Sequence, residues 1–293
     1  VLGAIDRMEA AHQRGGAVSG LATGFPDFDK LTGGLQPGEM IVIAARPSVG
    51  KSSLAMNIAD HVAVDLRLPV GVISLEMTAQ SLVSRLLCSR ARVNLANIRD
   101  GFLAERDFPK ITAAAAKLKD APLYIDDTRG QTVLQIRAKF RRWWQQHRIK
   151  LGIIDYLQLA TAGGRWESRQ QEVAAISCGV RNIAGELGIP ILVLAQLNRD
   201  VEREKSRKPR LSDLRESGSI EADADLVGFL YRPEREDDSE SEEACPVNLL
   251  IAKQRNGPTG DIPLTFLRQF TRFESAARIS RDEPSSRQME GVP

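Results

Sequence analysis

Short apolar runs recur along most of this chain and alternate with longer segments that have helical periodicity. The predicted strands are Met40–Ala45, Val70–Leu75, Pro122–Ile125, Leu151–Tyr156, Ile191–Ala195, Leu226–Leu230, Val247–Ala252 and Ile262–Leu267. Continuous apolar runs of this kind are typical of parallel strands that are covered on both faces of a sheet. The predicted helices are Lys51–Val64, Ala79–Arg90, Arg106–Lys119, Val133–Arg148 and Arg169–Leu187. Because helices of this length can cross over between parallel strands, the pattern predicts an α/β fold.

The last two predicted strands differ from the others, since no helical segment separates them. The pair Asn256-Gly257 lies between them, and Asn-Gly is typical of tight hairpin turns. We therefore expect an antiparallel hairpin at one edge of a mostly parallel sheet. The charged segment Arg199–Arg210 and the acidic segment Glu234–Glu243 interrupt the pattern and are predicted to be mobile surface loops.

The two ends of the chain have a different character from its middle. The pattern of residues 1–18 predicts a linker helix followed by a joint. Leu2, Ile5 and Met8 would share one helical face, and a pair of glycines follows them. Such a helix either packs on the chain's own core or docks on a neighbour, and the sequence leaves both alternatives open. Residues 19–274 predict one α/β domain, and the polar residues 275–293 predict a disordered tail. No leader follows Val1, which indicates a piece of a longer protein.

Composition excludes several classes of protein. The 293 residues are 42% hydrophobic and 27% charged, and the net charge of +2 gives no overall field that would attract nucleic acid or lipid. No apolar run approaches the length of a membrane span, so we expect no membrane partner. The three scattered cysteines fit neither a zinc site nor a disulfide framework, and they indicate reduced thiols and a cytoplasmic location. With three histidines, zinc hydrolysis and histidine-based triads are nearly excluded.

The first predicted strand leads directly into a phosphate-binding motif. The segment from Ala45 to Ser52 is followed at once by a helix, which is the strand, loop and helix context of a P-loop. In that motif backbone N–H groups and the positive end of the helix surround phosphate oxygens. Lys51 then provides a charge at the β and γ phosphates, and Ser52 provides a hydroxyl for Mg²⁺. Ala45 stands where the motif usually has its first glycine, which weakens the motif taken alone.

Three further polar residues come directly after predicted strands. Asp155 fits the carboxylate that completes a magnesium site, Glu76 fits a base for an attacking water, and Gln196 fits a sensor of the γ phosphate. Taken singly, each is equally consistent with a cap, a solvated carboxylate or an ordinary loop amide. Ligands of open α/β sheets bind at the carboxyl ends of the strands, so the convergence of these residues with the P-loop favours ATP hydrolysis.

The chain resembles the C-terminal motor domain of DnaB-type replicative helicases, which are hexameric members of the RecA-like ATPases. The matching segments extend over nearly the whole chain: Thr23-Gly24-Phe25, Leu31-Thr32-Gly33-Gly34-Leu35, Ala45 to Ser52, Ser74-Leu75-Glu76-Met77, Ile154-Asp155-Tyr156-Leu157-Gln158, Gln196-Leu197-Asn198-Arg199, Leu211 to Glu221, and Lys253 to Gly260. The family also accepts alanine at the first P-loop position. The resemblance thus implies a RecA-like P-loop NTPase core over residues 19–274.

The resemblance also implies roles for the candidate residues. The nucleotide would be bound by Ser48, Val49, Gly50, Lys51, Ser52 and Ser53, and Mg²⁺ by Ser52 and Asp155. Glu76 would be the catalytic base and Gln196 the γ-phosphate sensor. Lys253 and Arg255 would act in trans on ATP bound by the next subunit, because two residues two apart at a strand end point the same way. Without the resemblance, a pair of solvated cations beside a hairpin is the favoured interpretation.

DNA contacts are implied for two segments. The resemblance assigns them to loops at Gly164 and Arg165, and at Arg215, Glu216 and Gly218, where small residues permit close approach to DNA phosphates. The alternative is ordinary surface turns. A basic, aromatic helix around residues 139–144 is ranked lower, since adjacent tryptophans point about 100° apart and one is expected in the core.

The function implied is that of a replicative DNA helicase motor. A homohexamer would hydrolyse ATP with Mg²⁺ at its subunit interfaces, move along single-stranded DNA and exclude the other strand. Primase and a helicase loader are the expected partners of the full-length protein. Two alternatives stay open: a recombination ATPase similar to RecA or RadA that forms filaments, and a nucleotide switch that assembles a partner complex without hydrolysis.

Overall fold

The structure, a computed structural model, describes residues 18–197, 208–233 and 244–276. Within these ranges nine strands form one sheet in the order β3-β2-β4-β5-β1-β6-β7-β8-β9. The strands are β1 (Met40–Ala45), β2 (Val70–Ser74), β3 (Leu123–Asp126), β4 (Leu151–Asp155), β5 (Ile191–Gln196), β6 (Leu226–Tyr231), β7 (Ala244–Gln254), β8 (Gly260–Leu267) and β9 (Arg272–Ser275). Strands β1 to β6 are parallel, and β7, β8 and β9 add an antiparallel edge. The predicted α/β class and mixed edge are confirmed.

The helices flank the sheet as its crossovers. They are α1 (Pro26–Thr32), α2 (Lys51–Asp60), α3 (Ala79–Ala91), α4 (Leu95–Asp100), α5 (Phe108–Lys119), α6 (Val133–His147), α7 (Arg169–Leu187) and α8 (Gly218–Asp223). A π-helical turn at His61–Asp65 extends α2, and 3₁₀ turns lie at Glu105–Asp107, Leu157–Leu159, Leu211–Ser217 and Arg268–Phe270. All five predicted helices are present. Helices α1, α4 and α8 and strand β9 were not predicted, because each is too short to show a clear period.

The sheet is the middle layer of the domain, with a separate apolar core on each face. Alternate residues of β1 point to opposite sides, so Ile41 and Ile43 join the core with α2 and α3, and Met40, Val42 and Ala44 join the core with α6 and α7. Burial on both faces explains why the strands form unbroken apolar runs in the sequence.

The edge hairpin and the basic helix were both predicted from the sequence. The antiparallel hairpin is confirmed, but β7 and β8 are joined by five residues, 255–259, rather than by a two-residue Asn-Gly turn. In α6, Trp143 is buried whereas Arg141 and Arg142 are exposed, as expected of a packing helix with a solvated basic face. No helix among the described residues is long and apolar enough to cross a membrane.

Other predictions lie outside the described residues. These are the helix and joint up to residue 17, residues 199–207 of the charged segment, the acidic segment 234–243, and residues 277–293. The first two residues of the predicted tail are described, and Ser275 is the last residue of β9.

Candidate nucleotide site

The loop between β1 and α2 has the shape that a phosphate-binding loop requires. Gly50 precedes α2 with φ 108°, and Ser48 also lies in the left-handed region at φ 63°. A side chain at Gly50 would be strained at this φ, and its Cβ would lie 2.9 Å from Cζ of Phe273. Ala45, by contrast, is fully buried as the last residue of β1. Its methyl group therefore faces the core and leaves the loop unobstructed.

Lys51, the first residue of α2, connects the loop to the neighbouring strands. Its Nζ lies 3.1 Å from Oδ1 of Asp155 and 3.4 Å from Oε2 of Glu76. The same ammonium lies 4.0 Å from the ring centre of Tyr156, a cation–π contact. The three predicted residues Lys51, Glu76 and Asp155 thus meet at one point, although they come from three different elements.

The two carboxylates have different environments. The Asp155 side chain is 5% exposed, whereas that of Glu76 is 49% exposed. A buried carboxylate needs a compensating charge, which Lys51 provides. The exposed carboxylate can contact water while it is paired with Lys51. Contact with water is what a base that activates water requires.

Hydrogen bonds fix the turn that holds Glu76. Ser74 is buried, and its hydroxyl donates to the carbonyl of Met77 at 2.7 Å and accepts from the N–H of Met77 at 3.2 Å. The Leu75 N–H donates to the carbonyl of Asp155 at 2.6 Å. Because β2 and β4 are joined here, the positions of the two carboxylates depend on each other.

Gln196 ends β5 and pairs in register with Ala45, the end of β1. Its backbone is held by the side chain of Gln158, whose Nε2 donates to the Gln196 carbonyl at 3.1 Å and whose Oε1 accepts from the Gln196 N–H at 3.3 Å. The structure therefore brings the predicted sensor to the strand end beside the P-loop. We call the side of the sheet where the parallel strands β1, β2, β4 and β5 end the carboxyl edge. It is not the antiparallel edge formed by β7, β8 and β9.

The remaining loop residues are consistent with nucleotide binding. Ser52 is partly exposed on the first turn of α2, while Val49 and Ser53 are buried. Among the described residues, no cluster of three His, Cys, Asp or Glu side chains can hold a metal ion alone. Mg²⁺ that arrives with a nucleotide needs fewer protein ligands, because phosphates and waters complete its octahedron. A serine hydroxyl and the Asp155 carboxylate fit that requirement.

The sequence analysis missed three residues of this site. Tyr156 lies under the Lys51 ammonium, and burial, with the charges of Glu76 and Asp155, raises the pKa of its hydroxyl. Arg232, just after β6, donates to the carbonyl of Ser48 at 3.3 Å. Tyr156 and Gln158 were noticed only as parts of a matching segment. None of the three was given a role, because their contacts with Lys51, Ser48 and Gln196 join residues far apart in the chain.

Lys253 and Arg255 lie at the opposite edge of the sheet, away from the P-loop of their own chain. Lys253 pairs in register with Val227, whose partner on β1 is Val42, and the Arg255 N–H donates to the carbonyl of Asp225, just before β6. Three to five strand residues, roughly 10–16 Å, therefore separate this pair from the end of β1, where the P-loop begins. We call this the amino edge. The predicted pair therefore lies at the opposite end of the strands from the nucleotide site of its own chain.

At the amino edge both cations bind the last turn of α8. The Lys253 ammonium donates to the carbonyl of Glu221 at 2.5 Å, and the Arg255 guanidinium donates to that of Ala222 at 2.7 Å. Arg181 of α7 donates to the next carbonyl, Asp223, at 2.6 Å. Burial and then the neighbouring Arg255 charge lower the pKa of Lys253. The two side chains point the same way, as their spacing predicted, and both are held by α8, which does not fit the alternative of freely solvated cations.

The candidate DNA segments differ from each other in structure. Gly164 and Arg165 lie in an exposed irregular loop, and a Cβ added to Gly164, whose φ is 81°, would meet nothing within 4 Å. The second segment was predicted to be a loop and is helical instead. Arg215 and Glu216 belong to the 3₁₀ turn Leu211–Ser217, and Gly218 begins α8. The buried residues Leu214 and Ile220 anchor this segment on α7, which favours a helix over an open loop.

Comparison with known proteins gives matches to replicative helicases over nearly the whole chain. Residues 20–275 match the model of the DnaB-like helicase C terminal domain. The chain is 45% identical over 274 residues to the replicative DNA helicase DnaC of Bacillus subtilis, covering 93% of this chain and 60% of that protein. The chain thus spans about 60% of the length of such curated relatives.

Two solved structures are similar over most of the chain. One, described as an ATPase domain, has a TM-score of 0.86 at 33% identity, covering 94% of this chain and 98% of that one. A DnaB-like replicative helicase, described with its interactions with primase, has a TM-score of 0.83 at 32% identity, covering 92% of this chain and 65% of that one.

Proposed function

The chain belongs to the family of DnaB-like helicase C-terminal domains, and from this membership we propose that it is the ATP-hydrolysing motor of a replicative DNA helicase. One observation supports this most strongly. Behind a P-loop, the Lys51 ammonium contacts a buried carboxylate on β4 and an exposed carboxylate after β2. That is the charge arrangement needed to bind a phosphate chain and to activate water beside it.

The chemistry proposed is attack of water on the γ phosphorus of ATP. Glu76 accepts the proton of the water as its oxygen bonds to phosphorus, and the bond to the bridging oxygen breaks to release ADP and phosphate. Lys51 and the loop N–H groups of residues 48–52 hold the phosphates. Ser52 and Asp155 would hold Mg²⁺, which neutralises phosphate charge when it is bound. Gln196 is placed at the strand end where its amide can contact the γ phosphate.

Assembly with further copies is part of this proposal. Lys253 and Arg255 lie at the amino edge, so they can act on ATP only when it is bound at the carboxyl edge of another copy. Head-to-tail contacts of this kind build either a closed ring or an open filament, and we propose the closed ring of a homohexamer. In the ring, Gly164 and Arg165 with the segment Arg215–Gly218 would contact single-stranded DNA. Primase and a loader are proposed as partners of the longer protein.

The experiment that tests the function is ATP hydrolysis by the purified chain with Mg²⁺, with and without single-stranded DNA, beside its mass by light scattering. We expect a hexamer whose turnover rises with DNA, and unwinding of a forked duplex by the same assembly. The control is Glu76→Gln, which keeps the shape of the side chain and should bind ATP without turnover. ATP binding without hydrolysis by an intact hexamer would contradict the motor and favour a switch. Filaments on DNA in electron micrographs would favour a recombinase.

A further inference from the structure

Gln158 connects the nucleotide side of the domain to the exposed glycine loop. It lies in the 3₁₀ turn Leu157–Leu159 that follows Asp155, and its side-chain amide makes two hydrogen bonds with the backbone of Gln196. These two bonds resemble the hydrogen bonds between adjacent β-strands, with the side-chain amide of Gln158 in place of the backbone of a second strand. It holds the end of β5 to the segment that leaves β4, so the two ends move together.

The main chain of the same residue continues the connection. The carbonyl of Gln158 accepts from the Arg169 guanidinium at 2.5 Å, and Arg169 also pairs with Glu172 one turn along α7. The other oxygen of Glu172 accepts from the N–H of Ala162 at 3.3 Å. Ala162 directly precedes Gly163 and Gly164, so the connection ends at the loop proposed to contact DNA.

The ion pair between Arg169 and Glu172 keeps the Glu172 carboxylate ionised. The hydrogen bond from Arg169 is the main cause that lowers the pKa of Glu172, so the carboxylate stays ionised and remains an acceptor for the Ala162 N–H. The loop itself is open, with exposed residues from 163 to 170. Its first end is held where Glu172 accepts from the Ala162 N–H and where the Thr161 N–H donates to the carbonyl of Gln131. Within the loop, the Trp166 indole N–H donates to the carbonyl of Gly163 at 2.8 Å, so a shift of Ala162 is passed on to Gly163.

We infer that Gln158 is a positioning residue that couples contact of Gln196 with the γ phosphate to the DNA affinity of the loop at Gly163–Arg165. This inference rests on the proposed function. A displacement of the Gln196 backbone moves the amide of Gln158, and the Gln158 carbonyl moves Arg169, Glu172 and the N–H of Ala162. Coupling of this kind is reciprocal, so DNA in the loop also changes the affinity for nucleotide.

The test measures coupling rather than activity. Binding of a fluorescent oligo-dT is titrated in the presence of ADP and of a non-hydrolysable ATP analogue, and the ratio of the two Kd values is taken for each variant. In the unaltered chain we expect a ratio of about fivefold or more, the usual size of an allosteric effect. In Gln158→Ala and in Gln158→Glu the ratio should fall toward one. Because both Kd values come from the same variant, a uniform loss of affinity cancels.

Controls separate this inference from the proposed function. Gln145→Ala removes an exposed glutamine of α6 and should leave the ratio unchanged. A chain without substitutions that fails to bind the oligonucleotide, or binds it equally with both nucleotides, would overturn the proposed function itself. A ratio that stays at its original value in either Gln158 variant, with thermal unfolding still cooperative, would overturn the role of Gln158 alone.

Discussion

The two edges of the central sheet satisfy their charges in different ways. At the carboxyl edge, Lys51 lies between two carboxylates of the same chain, so opposite charges neutralise each other at 3.1 and 3.4 Å. At the amino edge, Lys253, Arg255 and Arg181 bind successive main-chain carbonyls of α8, and the two arginines share one carboxylate, Asp225. One edge joins a cation to two carboxylates, whereas the other holds three cations on main-chain carbonyls with a single carboxylate, Asp225, between the two arginines.

Under the proposed function, each edge would supply half of an ATP site. Cations at a helix C-terminus are stabilised by its dipole, typically by about 0.3–1 kcal/mol each. That energy is small compared with what a guanidinium gains from a bidentate contact with phosphate. In the proposed ring, an ATP bound to another copy would compete with the α8 carbonyls and with Asp225 for these cations.

The largest expected effect is that of Lys51→Ala at the carboxyl edge. The substitution removes the charge that holds the phosphates, and ATP hydrolysis should fall by about 10³-fold or more. The measurement is steady-state phosphate release by the assembled protein. Lys150→Ala, which removes an exposed lysine, is the matched control and should keep full turnover. Appreciable hydrolysis by Lys51→Ala would place the nucleotide elsewhere.

Lys253→Ala and Arg255→Ala should lower hydrolysis by about 100-fold, because each removes one positive charge from the transition state of a neighbouring site. ATP affinity of the unassembled chain should not change, since the P-loop of that chain is a strand length away. Equilibrium binding of a fluorescent ATP analogue at low protein concentration measures this. A weaker affinity in the unassembled variants would mean that the two edges are linked within one chain.

Gly50→Ala should destabilise the fold by about 2 kcal/mol, because a φ of 108° is strained for alanine and the new methyl group meets Phe273. Urea denaturation measures the change. The control is Gly185→Ala inside α7, where an added Cβ meets nothing within 4 Å. Alanine should stabilise that position by about 0.5–1 kcal/mol. The opposite sign for the two substitutions separates a required glycine from a tolerated one.

Arg181→Ala tests the amino edge with the smallest effect. It removes the hydrogen bond to the Asp223 carbonyl and should lower the free energy of unfolding by about 1 kcal/mol. Arg142→Ala, on the exposed face of α6, should change stability by less than about 0.5 kcal/mol. Equal effects of the two substitutions would show that α8 is held without Arg181.

Most of the sheet and the carboxyl edge could be predicted from the sequence. Short apolar runs predicted the strands from β1 to β8, and the P-loop with Glu76, Asp155 and Gln196 followed from their places at strand ends. Strand β9 could not be predicted, since Arg272–Ser275 is short and polar, yet its Phe273 stacks on Phe266 beside Gly50. Its role depends on contacts between distant parts of the chain.

The amino edge was harder to predict for the same physical reason. Spacing alone indicates that Lys253 and Arg255 point the same way, but not that α8 supplies their partners. The segment Arg215–Gly218 was expected to be a loop, because the family resemblance assigns DNA contacts in loops to it. Burial of Leu214 and Ile220 against α7 favours a helix instead. The contacts of Gln158 likewise join residues far apart in the chain.

The central claim, that one ATP site needs the carboxyl edge of one copy and the amino edge of another, has a direct test. Lys51→Ala and Lys253→Ala are mixed in equal amounts, co-assembly is verified by native mass spectrometry, and hydrolysis of the first ATP per site is measured under single-turnover conditions. Random assembly around a ring gives about one quarter of sites an intact P-loop facing an intact Lys253, so a burst of that size is predicted. Each variant alone should give none. Verified mixed assemblies without a burst would contradict the claim.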